Sequence, residues 1–354
     1  MKQGTSLQNV LEELKRQYEA KADYIAPTGA LRVSDSAKSI ILKKDGHDFA
    51  KMGMTDLFYR QIGTALNIPA KYYNAMRDEK PDLLATNINA WLETKNQAYM
   101  LRTMEYDGYR KARALLSPRY RRIDNIEVAS TILPLFAGKG GMEVMSCAVT
   151  ENKLYLKIVN HRLEKEVKKG DLVQAGVVIS NSEVGLGAVS VQPLVYRLVC
   201  TNGMVVNAFG ERRNHVGRTA KTVEDFSVYS DETMKAEDKA FMLKLRDATM
   251  AALNEARFSQ IIGKLQESTE AKITGKVQDV VELTGKTFDF TQQEQDNVLN
   301  YLIRGGDLSM YGLSNAITRA SQDVESYDRA TALEGFGWDV VNMTPSQWNK
   351  LNVA

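Results

Sequence analysis

Apolar residues recur along this chain with two different periods. Leu7, Val10, Leu11 and Leu14 lie three or four residues apart with charge on the opposite side, the spacing of a helix with one buried face. The same period returns over residues 56–67 through Leu57, Phe58, Ile62 and Leu66. Ile68-Pro69-Ala70 then opens a third helix. Pro81 opens a fourth, which carries Leu83, Leu84, Ile88 and Trp91, since a first helical position is where the missing proline N–H costs least. Helical signals dominate residues 5–95, so a helical N-terminal region spanning residues 1–96 is predicted.

The pattern changes near residue 97. Ala98–Arg102 and residues 110–116 flank Asp107-Gly108, a strong hairpin pair. A helix at about 125–136 is followed by the break Gly138-Lys139-Gly140-Gly141. Leu154, Leu156 and Ile158 then alternate with Tyr155, Lys157 and Val159, the period of a half-buried strand. Residues 173–180 and 189–206 continue the sheet, with Asn202-Gly203 read as another turn. This strand-rich core covers residues 97–222. Beyond it the helical period returns, over 232–267 as one long or kinked helix with the stripe Phe241, Leu245, Ala248, Ala252, Ala256 and Ile262. Shorter helices follow around 276–284, 292–304 and 309–334, making 223–354 a helical C-terminal region. The expected class is α+β, with a central, mostly antiparallel sheet between two helical regions.

Composition adds a boundary and charge adds a polarity. A chain of 354 residues with 44% apolar content can bury a substantial core, and no stretch approaches the ~18–20 apolar residues of a membrane helix. The start of the chain runs into a polar amphipathic helix without the apolar core of a signal peptide. Cys147 and Cys200 fall in apolar strand-like runs and read as reduced, buried thiols. These features predict a soluble cytoplasmic protein. The net charge is only +2, but residues 1–222 hold 33 basic against 23 acidic residues, a net of +10, and residues 223–354 hold 13 against 21, a net of −8. Such a split suggests a surface for an anionic partner, with two differently charged solvated faces as the alternative.

The densest basic feature is residues 109–122, where Arg110, Lys111, Arg113, Arg119, Arg121 and Arg122 interleave with Tyr109 and Tyr120 and no acidic residue intervenes. Guanidinium groups grip phosphate oxygens and tyrosine rings stack on unpaired bases, so the segment suits a single strand better than a duplex groove. The alternative is a strand and turn whose arginines pair with carboxylates of the acidic last third. A second cluster holds Arg212, Arg213, His215 and Arg218, with Lys221 beyond. A third, Arg162, Lys165, Lys168 and Lys169, is interrupted by Glu164 and Glu166 and reads as a solvated hairpin tip. Thr284-Gly285-Lys286-Thr287 resembles the end of a phosphate-binding loop, but Val280 stands where that motif needs glycine. The three histidines, His47, His161 and His215, have no metal-ligand spacing, so no metal or cofactor is expected. Asn181-Ser182-Glu183-Val184-Gly185-Leu186-Gly187 interrupts two apolar strands. It is a plain structured turn, or a place where Ser182, Glu183 or exposed backbone N–H groups meet a ligand.

At that segment the chain resembles the phage/plasmid-like protein family built on the domain of unknown function 932. The resemblance lies in Asn181 to Gly185 and in Val195-Tyr196-Arg197-Leu198-Val199-Cys200-Thr201-Asn202-Gly203-Met204. Residues 66–72, 113–124, 313–318 and 328–330 extend it over roughly 50–338. It implies a mobile-element context in a bacterial host, with no reaction assigned, and adds Arg197 and Asn202 to the candidate positions. The leading expectation is a protein that binds single-stranded DNA in replication or recombination, with a homo-oligomer possible. Two alternatives stand beside it. One is a hydrolase or nuclease-like enzyme centred on Ser182, Glu183, Arg197, Asn202 and His215, against which the lack of clustered carboxylates counts. The other is a structural or host-interaction protein.

Overall fold

In a computed structural model the strands form two six-stranded sheets. It describes residues 1–138, 140–207, 211–213 and 231–352, with 211–213 and 231–235 as backbone only. The first sheet runs in the order β1 (Lys21–Pro27), β5 (Ala98–Tyr106), β6 (Tyr109–Leu116), β4 (His47–Met54), β3 (Ser39–Lys44) and β2 (Leu31–Val33). Neighbours are antiparallel except β4 and β6. The N-terminal region is therefore mixed α/β, not helical as the periodicity predicted. Its strands hide because they break alternation: Ile40, Ile41 and Leu42 are consecutive and all buried, while β4 buries only Met52.

Edge strands β1 and β2 are joined by Thr28–Ala30 alone, one turn of 3-10 helix. Four Cα steps reach at most about 14 Å, whereas the edges of a flat six-stranded sheet stand about 24 Å apart. The sheet must curl, and Tyr24 of β1 duly meets Phe49 of β4 with ring centroids 6.1 Å apart. Helices α2 (Asp56–Ala65), α3 (Ala70–Glu79) and α4 (Pro81–Thr94) pack on it through Phe58, Ile62, Tyr73, Leu84 and Ile88. Thr55 caps α2 by accepting from the Phe58 N–H at 3.2 Å, and Pro81 opens α4 as expected. In the β5–β6 hairpin Asp107 and Gly108 have φ of 48° and 79°, the pair of positive values that a type I′ turn requires.

The second sheet runs β11 (Asn202–Val205), β10 (Val189–Arg197), β9 (Asp171–Asn181), β8 (Leu154–Lys168) and β7 (Met142–Val149), all antiparallel, with β12 (Glu211–Arg213) paired to β10. One face is covered by α1 (Leu7–Ala20), α5 (Asn125–Ile132) and α6 (Asp231–Ala252) through Val10, Leu14, Val128, Ile132, Phe241 and Leu245. The other meets α7 (Glu255–Glu270), α10 (Met310–Ala320) and α11 (Tyr327–Val341). Helices α8 (Val277–Thr287), α9 (Gln292–Gly305) and α12 (Pro345–Leu351) complete the C-terminal bundle. With both faces covered, residues 154–159 are all buried, where alternation predicted a half-exposed strand.

Three local expectations change. The helix over 232–267 is two, α6 and α7, because Asn254 caps the second by accepting from the Ala256 N–H at 2.9 Å. The helix over 309–334 also divides, into α10 and α11, with Ser326 accepting from the Arg329 N–H at 3.2 Å. Asn202-Gly203 opens β11; the reversal lies at 198–201, where Thr201 has φ of 52°. Cys200 is thus half-buried in a turn, not in a strand, while Cys147 is buried in β7, and both are free. Among the described residues no helix is long and apolar enough to cross a membrane.

Candidate nucleic-acid interface

The fold divides the basic segment into a buried part and an exposed part. Pairing of Arg102 with Ala114 and of Thr103 with Ala112 leaves Arg113 as the extra residue of a bulge. Its side chain turns inward, 7% exposed overall, with NH1 3.2 Å from Glu183 Oε2. The other Glu183 oxygen accepts from the Asn125 N–H at 2.7 Å. Beside this pair lies Arg102, which the sequence did not single out. It donates to Asp124 at 2.7 Å, to Asp23 at 3.2 Å and to the Glu183 carbonyl at 3.1 Å. Burial alone would raise the Asp124 carboxyl, but Arg102 and Lys21 hold it below the ordinary range. Tyr120 donates to the Ser182 carbonyl at 2.8 Å, and burial pushes its phenol pKa up.

The turn after β9 occupies the same seam between the two sheets. Asn181 Nδ2 donates to the Ile123 carbonyl at 3.0 Å and to Asn125 Oδ1 at 2.9 Å. Ser182 Oγ donates to the Asn152 carbonyl at 2.9 Å and accepts from the Leu186 N–H at 3.0 Å. Gln61 bridges to the first sheet, donating to the Val184 carbonyl at 2.9 Å and accepting from the Leu115 N–H at 2.8 Å. Gly185 has φ of 82°, and a Cβ there would stand 2.5 Å from Leu116 Cδ2. The polar groups of this motif join the two sheets.

Arg197 and Asn202 stand at the far end of the second sheet. Arg197 holds Asp171 in a two-pronged pair at 2.6 and 2.7 Å, Tyr311 donates to the same carboxylate at 2.9 Å, and Arg197 NH1 lies 3.0 Å from Cys200 Sγ. Asn202 is buried and donates to the Asn315 carbonyl at 3.2 Å and to Thr318 Oγ1 at 3.3 Å. These contacts tie the 195–204 run to α10. Arg197 pairs with Val173, so nine residues of chain, roughly 30 Å of extended strand, separate its row from Ser182. No single centre holds the Ser182–Glu183 and Arg197–Asn202 sets. Arg212 and Arg213 pair by backbone with Ser190 and Val189 in β12, and His215 and Arg218 lie outside the described residues. Among the described residues no cluster of His, Cys, Asp and Glu is placed to hold a metal ion.

What stays open to solvent gathers at the β5–β6 hairpin end of the first sheet. Tyr109, at the hairpin tip, is 77% exposed. It pairs across the turn with Tyr106, whose ring has Arg16 at 5.1 Å and Lys111 at 5.2 Å. The register puts Lys21 and Lys111 on either side of Met104, two strand spacings or about 10 Å apart, with Met104 itself buried beneath them. Lys21 lies 3.9 Å from the Tyr18 ring centroid and pairs with Asp124. Arg122 is exposed at the edge of the seam, 3.8 Å from Asp23. Arg110 points to the opposite face of the hairpin, where it pairs with Glu105 at 3.3 Å and donates to Thr103 Oγ1 at 3.1 Å. Lys111 and Arg119 have no carboxylate partner among the described residues. Among the described residues, Arg121 alone does what the paired alternative predicted, binding Glu237 at 3.2 Å and Asp238 on α6. Sequence reasoning missed Arg16, Tyr18, Lys21 and Tyr106. The Asp-Gly turn implies that Tyr106 faces Tyr109, but no local signal brings α1 to this end of the sheet.

A family model described as a domain of unknown function (DUF932) matches residues 113–333. No curated protein and no solved structure matches the chain.

Proposed function

The chain belongs to the DUF932 family, and from that premise we propose that it binds single-stranded nucleic acid, DNA first, through the β5–β6 hairpin end of its first sheet. One observation carries this reading: Tyr109 projects from the hairpin tip beside Tyr106 and Lys111, with Arg16, Lys21 and Arg122 on the same side and Arg110 on the other side of the hairpin. Tyrosine faces stack on any base and cations follow the backbone, a combination that grips a strand without reading its sequence. Arg113, Tyr120, Arg197 and Asn202 are spent on internal partners, and their part is to hold the scaffold. The phage and plasmid setting of the family gives such a strand a source in replication or recombination.

Fluorescence anisotropy with a labelled oligonucleotide tests the reading. Tyr109→Ala should weaken binding about five- to a hundredfold, the worth of one stacked base. Arg197→Ala, where the fold survives, should leave affinity for the strand within about twofold. Equal affinity of the wild type and of a Tyr109→Ala/Lys111→Ala variant would overturn it.

A further inference from the structure

We infer that the acidic start of α6 is a built-in competitor for the nucleic-acid face, holding Arg121 in the free protein and releasing it to a phosphate. This rests on the single-strand reading above and adds a regulatory contact to it. The placement follows from packing. Phe241 and Leu245 sink into the core on the second sheet, which fixes the line of α6. Glu237 stands four residues before Phe241 and Asp238 three, so both carboxylates share its side of the helix. They meet the Arg121 guanidinium, with Glu237 Oε1 at 3.2 Å from NH1 and Asp238 Oδ1 beside NH2, while the Phe241 ring centroid lies 5.3 Å from its carbon.

Arg121 is flanked in sequence by Tyr120, anchored in the seam, and by Arg122, exposed at the edge of the seam. A phosphate reaching Arg122 is therefore one residue from Arg121. The competing carboxylates are themselves half-exposed, with 56% of each side chain accessible, while the Arg121 side chain between them and Phe241 is 18% accessible. Pairs of that kind are weak, about a fivefold effect in an equilibrium, and a phosphate that takes two guanidinium N–H groups can replace them. The opposite charges of the two parts of the chain then act on one another: the basic part supplies the arginine and the acidic part sets the threshold for its use.

Anisotropy with a labelled single-stranded oligonucleotide at low salt decides this. Glu237→Gln/Asp238→Asn should bind about fivefold tighter than wild type, and adding Arg121→Ala should remove that gain. The control is Glu267→Gln/Asp296→Asn, the same charge change at exposed positions on α7 and α9, which should move affinity much less. Wild-type affinity in Glu237→Gln/Asp238→Asn would overturn the inference and leave the proposed function standing. Equal tightening in the control would also overturn it, by showing a general charge effect. Failure of the wild type and the variant alike to bind would remove the reading on which it rests.

Discussion

Lys157 occupies a position that alternation assigns to solvent, yet its side chain is 0% exposed. Its Nζ lies 2.6 Å from Glu334 Oε2, also fully buried, and 4.6 Å from the Tyr327 ring centroid. A buried charge left alone is far costlier than a buried pair replaced as a unit. Lys157→Met should therefore lower stability by about 3–5 kcal/mol, whereas Lys157→Met/Glu334→Leu should recover most of the loss in urea unfolding. His161 gives a second prediction at this scale. Gln174 Nε2 donates to Glu164, so its Oε1 accepts from His161 Nδ1 at 2.8 Å, while Glu143 faces Nε2 at 2.9 Å. Both ring nitrogens are thus donors, and the bonds to Gln174 and then Glu143 raise the imidazole pKa above its usual 6.5. Because the folded value is the higher one, the contribution is complete below the unfolded pKa and fades as pH rises through the folded pKa. The stability gap between wild type and His161→Gln should accordingly be larger at pH 5.5 than at pH 8.5. A constant gap would show that the protonated ring contributes nothing.

Among the elements, the turn after β9 shows what a motif leaves open. Two glycines and a Ser-Glu pair between apolar strands told of a close approach, and they left open whether a ligand or the protein itself did the approaching. Here it is the protein: Glu183 is bound by Arg113 and the Asn125 N–H, and Leu116 fills the space over Gly185. Glu183→Gln should cost about 3 kcal/mol by leaving Arg113 in a buried site without its counter-charge. If the variant folds, its affinity for a single strand should stay near that of wild type. A large loss of affinity at unchanged stability would instead place Glu183 in the binding face. The hairpin was legible because Asp107-Gly108 demands two positive φ values, and the core strands because Val, Ile and Leu run together. Strands β1 to β4 were not, since short strands in a curled sheet carry neither period. Helix ends at Asn254 and Ser326 were capping signals that a continuous apolar stripe concealed.

At the scale of the molecule, the charge split proved to be a matter of which arginines the fold consumes. Arg102, Arg113 and Arg197 sit in internal pairs, Arg121 is shared with α6, and Arg16, Arg110, Lys111, Arg119 and Arg122 remain toward solvent or on weak partners. Sequence position marked the right segment but not the division within it, because that depends on a bulge and on the seam between two sheets. The family match supplies a setting without a chemistry, so the hairpin end of the first sheet bears the functional claim. The most direct test is the affinity of the wild-type protein for a labelled single-stranded oligonucleotide across a salt series. Five phosphate contacts predict a slope of log K against log salt near −3.5, roughly a hundredfold loss between 50 and 200 mM. Affinity that stays flat over that range, or no measurable binding at 50 mM, would contradict the account.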